Sequence, residues 1–234
     1  MIVLKLLPYN MKLFLVASLV LVTGTLSAQT DASSDSSYAN GYYVERVKYF
    51  DSLHPIKKSI VFLGNSITEV GAWAEVLPGE QVINRGISGD NSFGVYARLD
   101  QVLAIKPRKI FLTIGVNDIK RGTPIDYIVN NYERIAAKVK AVSPRTKLYF
   151  QSVLPVTESV LANIYVKITN SKINQLNERM KAVAAKYDCP YIDLHPVFVD
   201  DNGQLRRDLT TDGLHLKQAA YILWANYLKK EKYL

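Results

Sequence analysis

The sequence is poor in the residues that build disulfide frameworks and metal sites, with one cysteine (Cys189) and three histidines in 234 residues. A single cysteine excludes an internal disulfide framework and a zinc finger built on cysteines. The sequence also lacks the Walker A motif, the dinucleotide motif GxGxxG and the zinc-protease motif HExxH, which argues against those phosphate-binding and metalloprotease classes. The GxSxG nucleophile elbow is absent too, which disfavours an ordinary α/β-hydrolase.

Composition and charge are those of a folded chain. Hydrophobic residues make up 48% and charged residues 21%, so the chain can bury a sizeable core, and its length suits about one domain. Lys and Arg number 29 against 21 Asp and Glu, which gives a net charge of +8. The basic residues are scattered singly or in pairs. We interpret the surplus, which would suit an acidic partner, as ordinary surface charge, and we predict no nucleic-acid partner.

The first 28 residues are typical of a secretory signal peptide. Lys12 precedes a run of about ten apolar residues, and small residues lead up to Ala28. This run is shorter than the roughly twenty residues that a transmembrane helix needs. We predict cleavage after Ala28, export to the periplasm or the extracellular space, and no stable membrane anchor afterwards; an uncleaved anchor is the alternative. Residues 29–37 are expected to form a flexible spacer before a domain at 38–234.

Strands and helices are predicted to alternate through this domain. A short amphipathic helix is expected at 38–53. Apolar runs rich in Ile, Val, Phe and Tyr predict five buried strands, at 59–63, 81–84, 109–114, 147–153 and 191–194. Helical patterns lie between and after them, at 69–77, 92–105, 125–142, 168–187 and 217–231. The alternation predicts a parallel five-stranded sheet with helices on both faces, a three-layer α/β/α fold.

Polar motifs follow the predicted strands or precede the final helix. Because ligands bind at the carboxyl ends of parallel strands, these loops are candidate sites. The motifs are GNSIT at 64–68, NRGISGD at 84–90, GVND at 115–118 and DGLH at 212–215. Taken alone, each has a structural explanation: Ser66 could cap a helix, for example, and the glycines could form tight turns.

Together, in this order and at these places, the four motifs resemble those of the SGNH, or GDSL-type, hydrolase family over essentially all of 59–231. The resemblance implies the SGNH hydrolase fold, with a flavodoxin-like parallel sheet. It also implies a carboxylic ester hydrolase similar to carbohydrate acetylesterases and platelet-activating-factor acetylhydrolase-like esterases, working without metal or organic cofactor. Position by position, it implies a nucleophile at Ser66, an acid–base pair of Asp212 and His215, and oxyanion-hole donors from Ser66, Gly89 and Asn117.

Two positions depart from the family pattern. Asn65 stands where the family name carries aspartate, and Asn91 stands where a threonine often follows Gly-Asp. We expect Asn65 and Asn91 to contact the substrate. Tyr165, in the loop after the fourth strand, could stack on a sugar and is the third predicted substrate contact.

The residue types suit serine-hydrolase chemistry. A serine hydroxyl needs a base to remove its proton during attack, and an imidazole can do this near neutral pH. A carboxylate three residues before the histidine can fix its tautomer. The expected reaction is a two-step ester hydrolysis through an acyl-serine intermediate. His195 is the rival base, but its neighbour Pro196 and the lack of an acid three residues earlier favour a structural role.

The loops are short and no extended apolar lid is visible, which favours an open cleft over a lipid tunnel. We therefore expect short acyl esters, especially acetyl esters on carbohydrates, as substrates. One alternative is a lysophospholipase- or thioesterase-type lipid acyl hydrolase. The other is a non-catalytic glycan-binding protein on the same scaffold, which would not need all five residues of the predicted catalytic set.

Overall fold

Five parallel strands form the central sheet in the computed structural model, which describes residues 36–54 and 56–234. The strands are Ile60–Gly64 (β1), Val82–Gly86 (β2), Lys109–Thr113 (β3), Lys147–Gln151 (β4) and Tyr191–Ile192 (β5). Their order is β2-β1-β3-β4-β5, and every neighbouring pair is parallel. The five predicted strands are confirmed, with ends that differ by up to two residues. The chain adds β2 on one side of β1 and then β3 on the other side, so the order of strand addition reverses between β1 and β3. Parallel sheets bind ligands at the carboxyl ends of the strands at such a point.

Ten helices lie among the described residues. They are Gly41–Ser52 (α1), Ser66–Glu69 (α2), Trp73–Val76 (α3), Ser92–Ala97 (α4), Leu99–Ala104 (α5), Val116–Arg121 (α6), Ile125–Val142 (α7), Asn170–Lys186 (α8), His195–Phe198 (α9) and Gln218–Lys230 (α10). Four short 3-10 helices connect them, at Ser36–Tyr38, Glu158–Val160, Asn163–Tyr165 and Arg207–Leu209. None of the helices within 36–54 and 56–234 is long and apolar enough to cross a bilayer.

The helices cover both faces of the sheet, as the predicted three-layer fold requires. On one face, Phe62 of β1 stacks on Trp73 at 3.8 Å, and Trp73 packs edge-on against Trp224 of α10. On the other face, Phe150 of β4 packs edge-on against Tyr132 of α7 at 4.9 Å. Strand residues at odd and even positions point to opposite faces, so both helix layers share one sheet.

The helix pattern differs from the prediction at four places. Of the helix expected at 69–77, only Glu69, the last residue of α2, and the four residues of α3 are helical, and the helix expected at 92–105 is divided into α4 and α5 at Arg98. Arg98 lies at the junction because its side chain turns inward and is buried. The third difference is α6, since most of the expected GVND loop is helical, and the fourth is α9, which begins at His195, where a loop was expected.

Of the predicted N-terminal segments, the signal peptide lies outside the described residues, as does the spacer up to residue 35. The last two spacer residues belong to the 3-10 helix Ser36–Tyr38. The predicted helix at 38–53 is α1.

Two glycines allow α2 to lie directly against the ends of the central strands. Gly64 ends β1 and Gly86 ends β2, and the two are register partners. A Cβ at Gly64 would overlap the side chain of Thr68, and a Cβ at Gly86 would overlap the backbone of Glu69. The carboxyl ends of β1 and β2 therefore meet the first helix after β1 with no room for a side chain between them.

Candidate active site

Ser66 is the first residue of α2 and lies two residues beyond the end of β1. The helix has only four residues, and contacts from outside it hold it in place. The Asn65 side chain accepts a hydrogen bond from the Ile67 N–H (3.0 Å) and caps the helix. Tyr221 donates its hydroxyl to the Ile67 carbonyl at 2.7 Å, and Trp73 donates to the Thr68 carbonyl at 2.8 Å. These bonds fix the backbone that carries the Ser66 hydroxyl.

Ser66, His215 and Asp212 form a continuous chain of contacts. Ser66 Oγ lies 3.1 Å from His215 Nε2, and His215 Nδ1 lies 2.7 Å from Asp212 Oδ2. The other carboxylate oxygen of Asp212 accepts hydrogen bonds from the N–H groups of Leu214 (3.0 Å) and His215 (2.8 Å). Asp212 therefore holds both the imidazole ring and the backbone of the turn that carries it.

The turn of DGLH depends on Gly213 and Thr210. Gly213 has φ +83°, and a Cβ there would lie 2.8 Å from the Thr157 carbonyl and from Val160 Cγ2. The Thr210 hydroxyl donates to the His215 carbonyl at 2.7 Å and accepts from the Gly213 N–H at 3.0 Å. The three-residue spacing of Asp212 and His215 thus becomes direct contact only because a glycine adopts the left-handed conformation between them.

The Asp212 carboxyl is ionised at neutral pH. Burial raises its pKa, but the hydrogen bonds from the His215 ring and from the backbone N–H groups of His215 and Leu214 together outweigh burial and bring the pKa below its ordinary value. With an ionised carboxylate at Nδ1, the ring proton is held there and Nε2 faces the serine hydroxyl as an acceptor. This is the protonation pattern that a general base requires.

The predicted oxyanion donors lie on neighbouring loops at the same edge of the sheet. Gly89 follows β2 with φ +80°. Asn117 lies in α6, and its Nδ2 donates to the Asp90 carbonyl at 2.9 Å. That bond fixes the direction of the amide and uses one of its two N–H groups, so the other can donate to a substrate oxygen. The structure therefore joins Asn117 to the residue that follows Gly89.

Arg121 is a site residue that the sequence analysis missed. Its Nη2 donates to the Gly89 carbonyl at 2.9 Å, and its Nη1 donates to the Asn117 carbonyl at 3.4 Å. Arg121 thus links the two predicted donors. Its position four residues after Asn117 would have placed both on one face of a helix, but the segment was expected to be a loop.

Glu69 is a second residue that sequence reasoning missed. One carboxylate oxygen accepts from both the N–H (2.7 Å) and the hydroxyl of Ser88, the residue before Gly89. The other accepts from the Tyr42 hydroxyl at 2.6 Å and lies 3.0 Å from Arg46 Nε. Glu69 therefore connects the helix of the nucleophile, the loop of Gly89 and helix α1. No local sequence signal predicts this link.

Asp90 forms a buried ion pair beneath the site. Its carboxylate accepts from Arg98 Nε at 2.9 Å and from the Asn91 N–H at 2.9 Å. Arg98 also donates through Nη2 to the carbonyls of Gly64 (3.1 Å) and Arg85 (2.9 Å). Burial raises the pKa of Asp90 to about 6, although Arg98 opposes this rise.

Asp118 is a second buried carboxyl group at the site. It accepts hydrogen bonds from the hydroxyl and the N–H of Ser92, the first residue of α4. Burial raises the pKa of Asp118 to about 7, although the bonds from Ser92 oppose the rise. Asp118 therefore holds α6, which carries Asn117, against the loop after β2.

The structure places the two predicted substrate contacts Asn65 and Asn91 in the interior, and their contact with a substrate stays a prediction. Asn65 is 1% exposed and Asn91 is 0% exposed. Asn91 accepts from the Gly94 N–H at 3.0 Å and caps α4, as Asn65 caps α2. Tyr165 is half-buried, with Lys120 Nζ 4.6 Å from the centre of its ring, and its contact with a sugar stays a prediction.

His195 has its own carboxylate partner. Its Nδ1 lies 3.1 Å from Asp193 Oδ1, and its N–H donates to the same oxygen at 3.0 Å. The acid lies two residues earlier, a spacing that the sequence analysis did not consider. Ser66 contacts His215 rather than His195, so the geometry selects between the two histidines. Across the described part of the chain, no cluster of three or more His, Cys, Asp or Glu side chains could hold a metal ion.

Known proteins are similar to this chain in sequence and in fold. A model of the GDSL-like Lipase/Acylhydrolase family matches residues 62–223. The GDSL esterase/lipase WDL1 of Oryza sativa subsp. japonica is 26% identical over 191 residues, which cover 70% of this chain and 73% of that protein.

Two solved structures are similar as well. A candidate platelet activating factor from Streptococcus pneumonia has a TM-score of 0.75 and 30% identity, over 81% of this chain and 92% of that chain. A GDSL-like lipase from Bacteroides thetaiotaomicron has a TM-score of 0.70 and 28% identity, over 84% of this chain and 100% of that chain.

We expect Ser66→Ala and His215→Ala to lower kcat for a chromogenic acetyl ester by roughly four orders of magnitude or more each, because residues that act as one unit give non-additive losses. The matched control is His195→Ala, which removes a histidine already paired with Asp193 and should retain kcat. A fluorophosphonate should label Ser66 alone. Loss of turnover in His195→Ala, with His215→Ala still active, would contradict the assignment.

The raised pKa of Asp118 predicts a pH-dependent stability. The folded state keeps this proton where the unfolded chain has lost it, so this contribution to stability is present below about pH 4 and is lost as pH rises through about 7. Asp118→Asn stays neutral and can still accept from Ser92. Between about pH 5 and pH 8, its free energy of unfolding should therefore rise by about 2 kcal/mol relative to the parent, measured by denaturant titration. A difference independent of pH would show that Asp118 is ionised throughout.

Proposed function

As a member of the GDSL-like lipase/acylhydrolase family, this chain is a carboxylic ester hydrolase, and we propose that its substrates are short acyl esters, acetyl above all, on carbohydrates. The observation that carries the chemistry is the contact chain from Ser66 Oγ through His215 to Asp212. We propose that Ser66 is the nucleophile, His215 the general base and Asp212 the group that orients the imidazole.

The first step forms an acyl-serine. Ser66 Oγ attacks the ester carbonyl carbon while His215 Nε2 accepts the hydroxyl proton. The tetrahedral intermediate then collapses, the bond to the sugar oxygen breaks, and His215 returns the proton to that oxygen. The Asp212 carboxylate stabilises the imidazolium that exists between these two transfers but takes no proton itself.

The second step releases the acid. A water molecule attacks the acyl carbon while His215 removes its proton, and the same base then protonates Ser66 Oγ as the ester bond breaks. In both steps the negative charge forms on the former carbonyl oxygen. The proposed donors to it are the N–H groups of Ser66 and Gly89 and the Asn117 amide, and one such donor is typically worth about 2.7–4 kcal/mol in the transition state.

The catalytic side chains are partly exposed, which supports a substrate whose leaving group is large and hydrophilic. The His215 side chain is 33% exposed and that of Asp212 is 43% exposed, so the imidazole that protonates the leaving oxygen is open to solvent. A sugar can therefore remain partly hydrated while its acyl group reaches Ser66. A site of this kind suits removal of a small acyl group from a larger molecule.

Apolar side chains near the site favour a second candidate, a lysophospholipase- or thioesterase-type lipid acyl hydrolase. Val160, Ile164 and Val166 are 39%, 65% and 75% exposed in the segment after β4. Val160 also approaches Gly213, within the turn that carries His215. An acyl chain could lie along these side chains. This candidate differs from the first in the length of the acyl chain that it accepts.

We further propose that the enzyme acts outside the cytoplasm, because the first 28 residues have the charge, apolar core and small-residue end of a secretory signal. The mature protein recovered from its native host should begin near Gln29, which N-terminal sequencing can establish. Recovery in the membrane fraction with the first residues intact would instead indicate an uncleaved anchor.

An acyl-length series tests the substrate class. We expect kcat/KM for p-nitrophenyl esters to fall by about tenfold or more from acetate to octanoate, since an open site offers a long chain little apolar burial, and we expect acetate release from acetylated oligosaccharides. The control variant Ile164→Ser should leave acetate turnover unchanged. Preference for octanoate or a lysophospholipid, with a loss of that preference in Ile164→Ser, would favour the lipid candidate.

A further inference from the structure

A cavity of about 540 Å³ adjoins the loops that carry the predicted oxyanion donors. The rings of Phe93 and Tyr127, the hydroxyl-bearing Thr123 and the guanidinium of Arg121 line it. Arg121 is also the residue that donates to the carbonyls of Gly89 and Asn117. Arg121 therefore both lines this cavity and contacts the two loops that carry the predicted oxyanion donors.

One cation, Arg121, lines this cavity, and two lysines lie near it in the fold or the sequence, Lys167 beside Gly122 and Lys120 directly before Arg121. Within the described residues, no carboxylate lies at ion-pair distance from Lys120, Arg121 or Lys167. Lys167 Nζ lies 3.5 Å from the Arg121 carbonyl and close to Gly122 in the cavity lining. Lys120 lies over the ring of Tyr165.

The nearby acids have other partners. Asp126 pairs with Arg179 at 2.9 Å, and its side chain is 82% exposed. Asp90 is buried against Arg98, and Asp118 is buried against Ser92. Arg121 and the two nearby lysines therefore have no ion-pair partner among the described residues, and an anionic ligand held by Arg121 would be attracted by all three.

We propose that this cavity binds a carboxylate on the sugar that carries the ester, so that the preferred substrates are acyl esters of acidic carbohydrates such as uronic acid residues. The inference rests on the proposed function and narrows its substrate class. Arg121 uses one N–H of each terminal nitrogen on the protein, and its remaining N–H groups can bind a carboxylate. The ring of Tyr127 can pack on the apolar face of a sugar.

Lys120 and Lys167 are the residues to vary, because Arg121 also holds the oxyanion loops. The substrates are a matched pair, the acetyl ester of methyl glucuronoside and that of methyl glucoside, which differ in the carboxylate. We expect Lys120→Gln/Lys167→Gln to raise KM for the glucuronoside ester by about fivefold, since a half-buried and an exposed cation each contribute modestly, and to leave kcat unchanged. Kinetics on the glucoside ester should not change.

The matched control is Lys147→Gln combined with Lys58→Gln, which removes two exposed cations at the opposite, amino-terminal edge of the sheet. It lowers the net charge equally and should leave KM for both esters unchanged. High salt should weaken the glucuronoside preference of the parent enzyme and not that of the Lys120→Gln/Lys167→Gln variant. Binding of the glucuronoside ester to Ser66→Ala, measured by calorimetry, should weaken in parallel when the two lysines are replaced.

The outcomes separate this inference from the function on which it rests. Equal kcat/KM on both esters in the parent, or an equal rise of KM in the control variant, would overturn the acidic-sugar inference and leave the carbohydrate esterase intact. Turnover of p-nitrophenyl octanoate or a lysophospholipid without acetate release from either sugar ester would overturn both.

Discussion

The ion pair between Asp90 and Arg98 is the interaction on which the geometry of the site depends. Both side chains are buried, and Arg98 also binds the carbonyls at the ends of β1 and β2. Asp90 follows Gly89 directly, and its own carbonyl receives the Asn117 amide. Removing one member of such a pair leaves an uncompensated buried charge, which typically costs about 3–5 kcal/mol. One interaction therefore sets the relative positions of the nucleophile loop, the glycine loop and α6.

Much of the fold and the central chemistry could be predicted from the sequence. The residues of β1 before Gly64 are all apolar, with no alternation of polar residues. A strand buried on both faces has this pattern, which can be read from the sequence. Ser66 and His215 are 149 residues apart, so their contact could not be predicted from spacing. The contact was expected because the motifs that contain Ser66 and His215 resemble those of a known family, in which the two residues act together.

The remaining parts of the site depend on tertiary packing that leaves no local pattern. Asn91 and Asn117 both follow strands and both carry amides, yet one caps a helix in the interior and the other faces the loop of Gly89. Which of these happens depends on the direction in which each turn leaves the sheet. Glu69 likewise looks like an ordinary helix residue, and its role depends on Ser88 and Tyr42, which lie 19 and 27 residues away in sequence.

Because α1 is attached to Glu69, the contacts that hold the site together begin earlier in the sequence than the region that the family has in common. The shared region begins at residue 62, whereas Tyr42 binds Glu69 and Tyr43 donates its hydroxyl to the Gly94 carbonyl at 2.8 Å from helix α1. A polypeptide shortened to the shared region would keep every residue of the catalytic set. It would lose Tyr42 and Tyr43, which bind Glu69 and Gly94. For recombinant production or directed evolution, a polypeptide that is to keep these contacts has to start before Gly41, upstream of the boundary that homology alone would suggest.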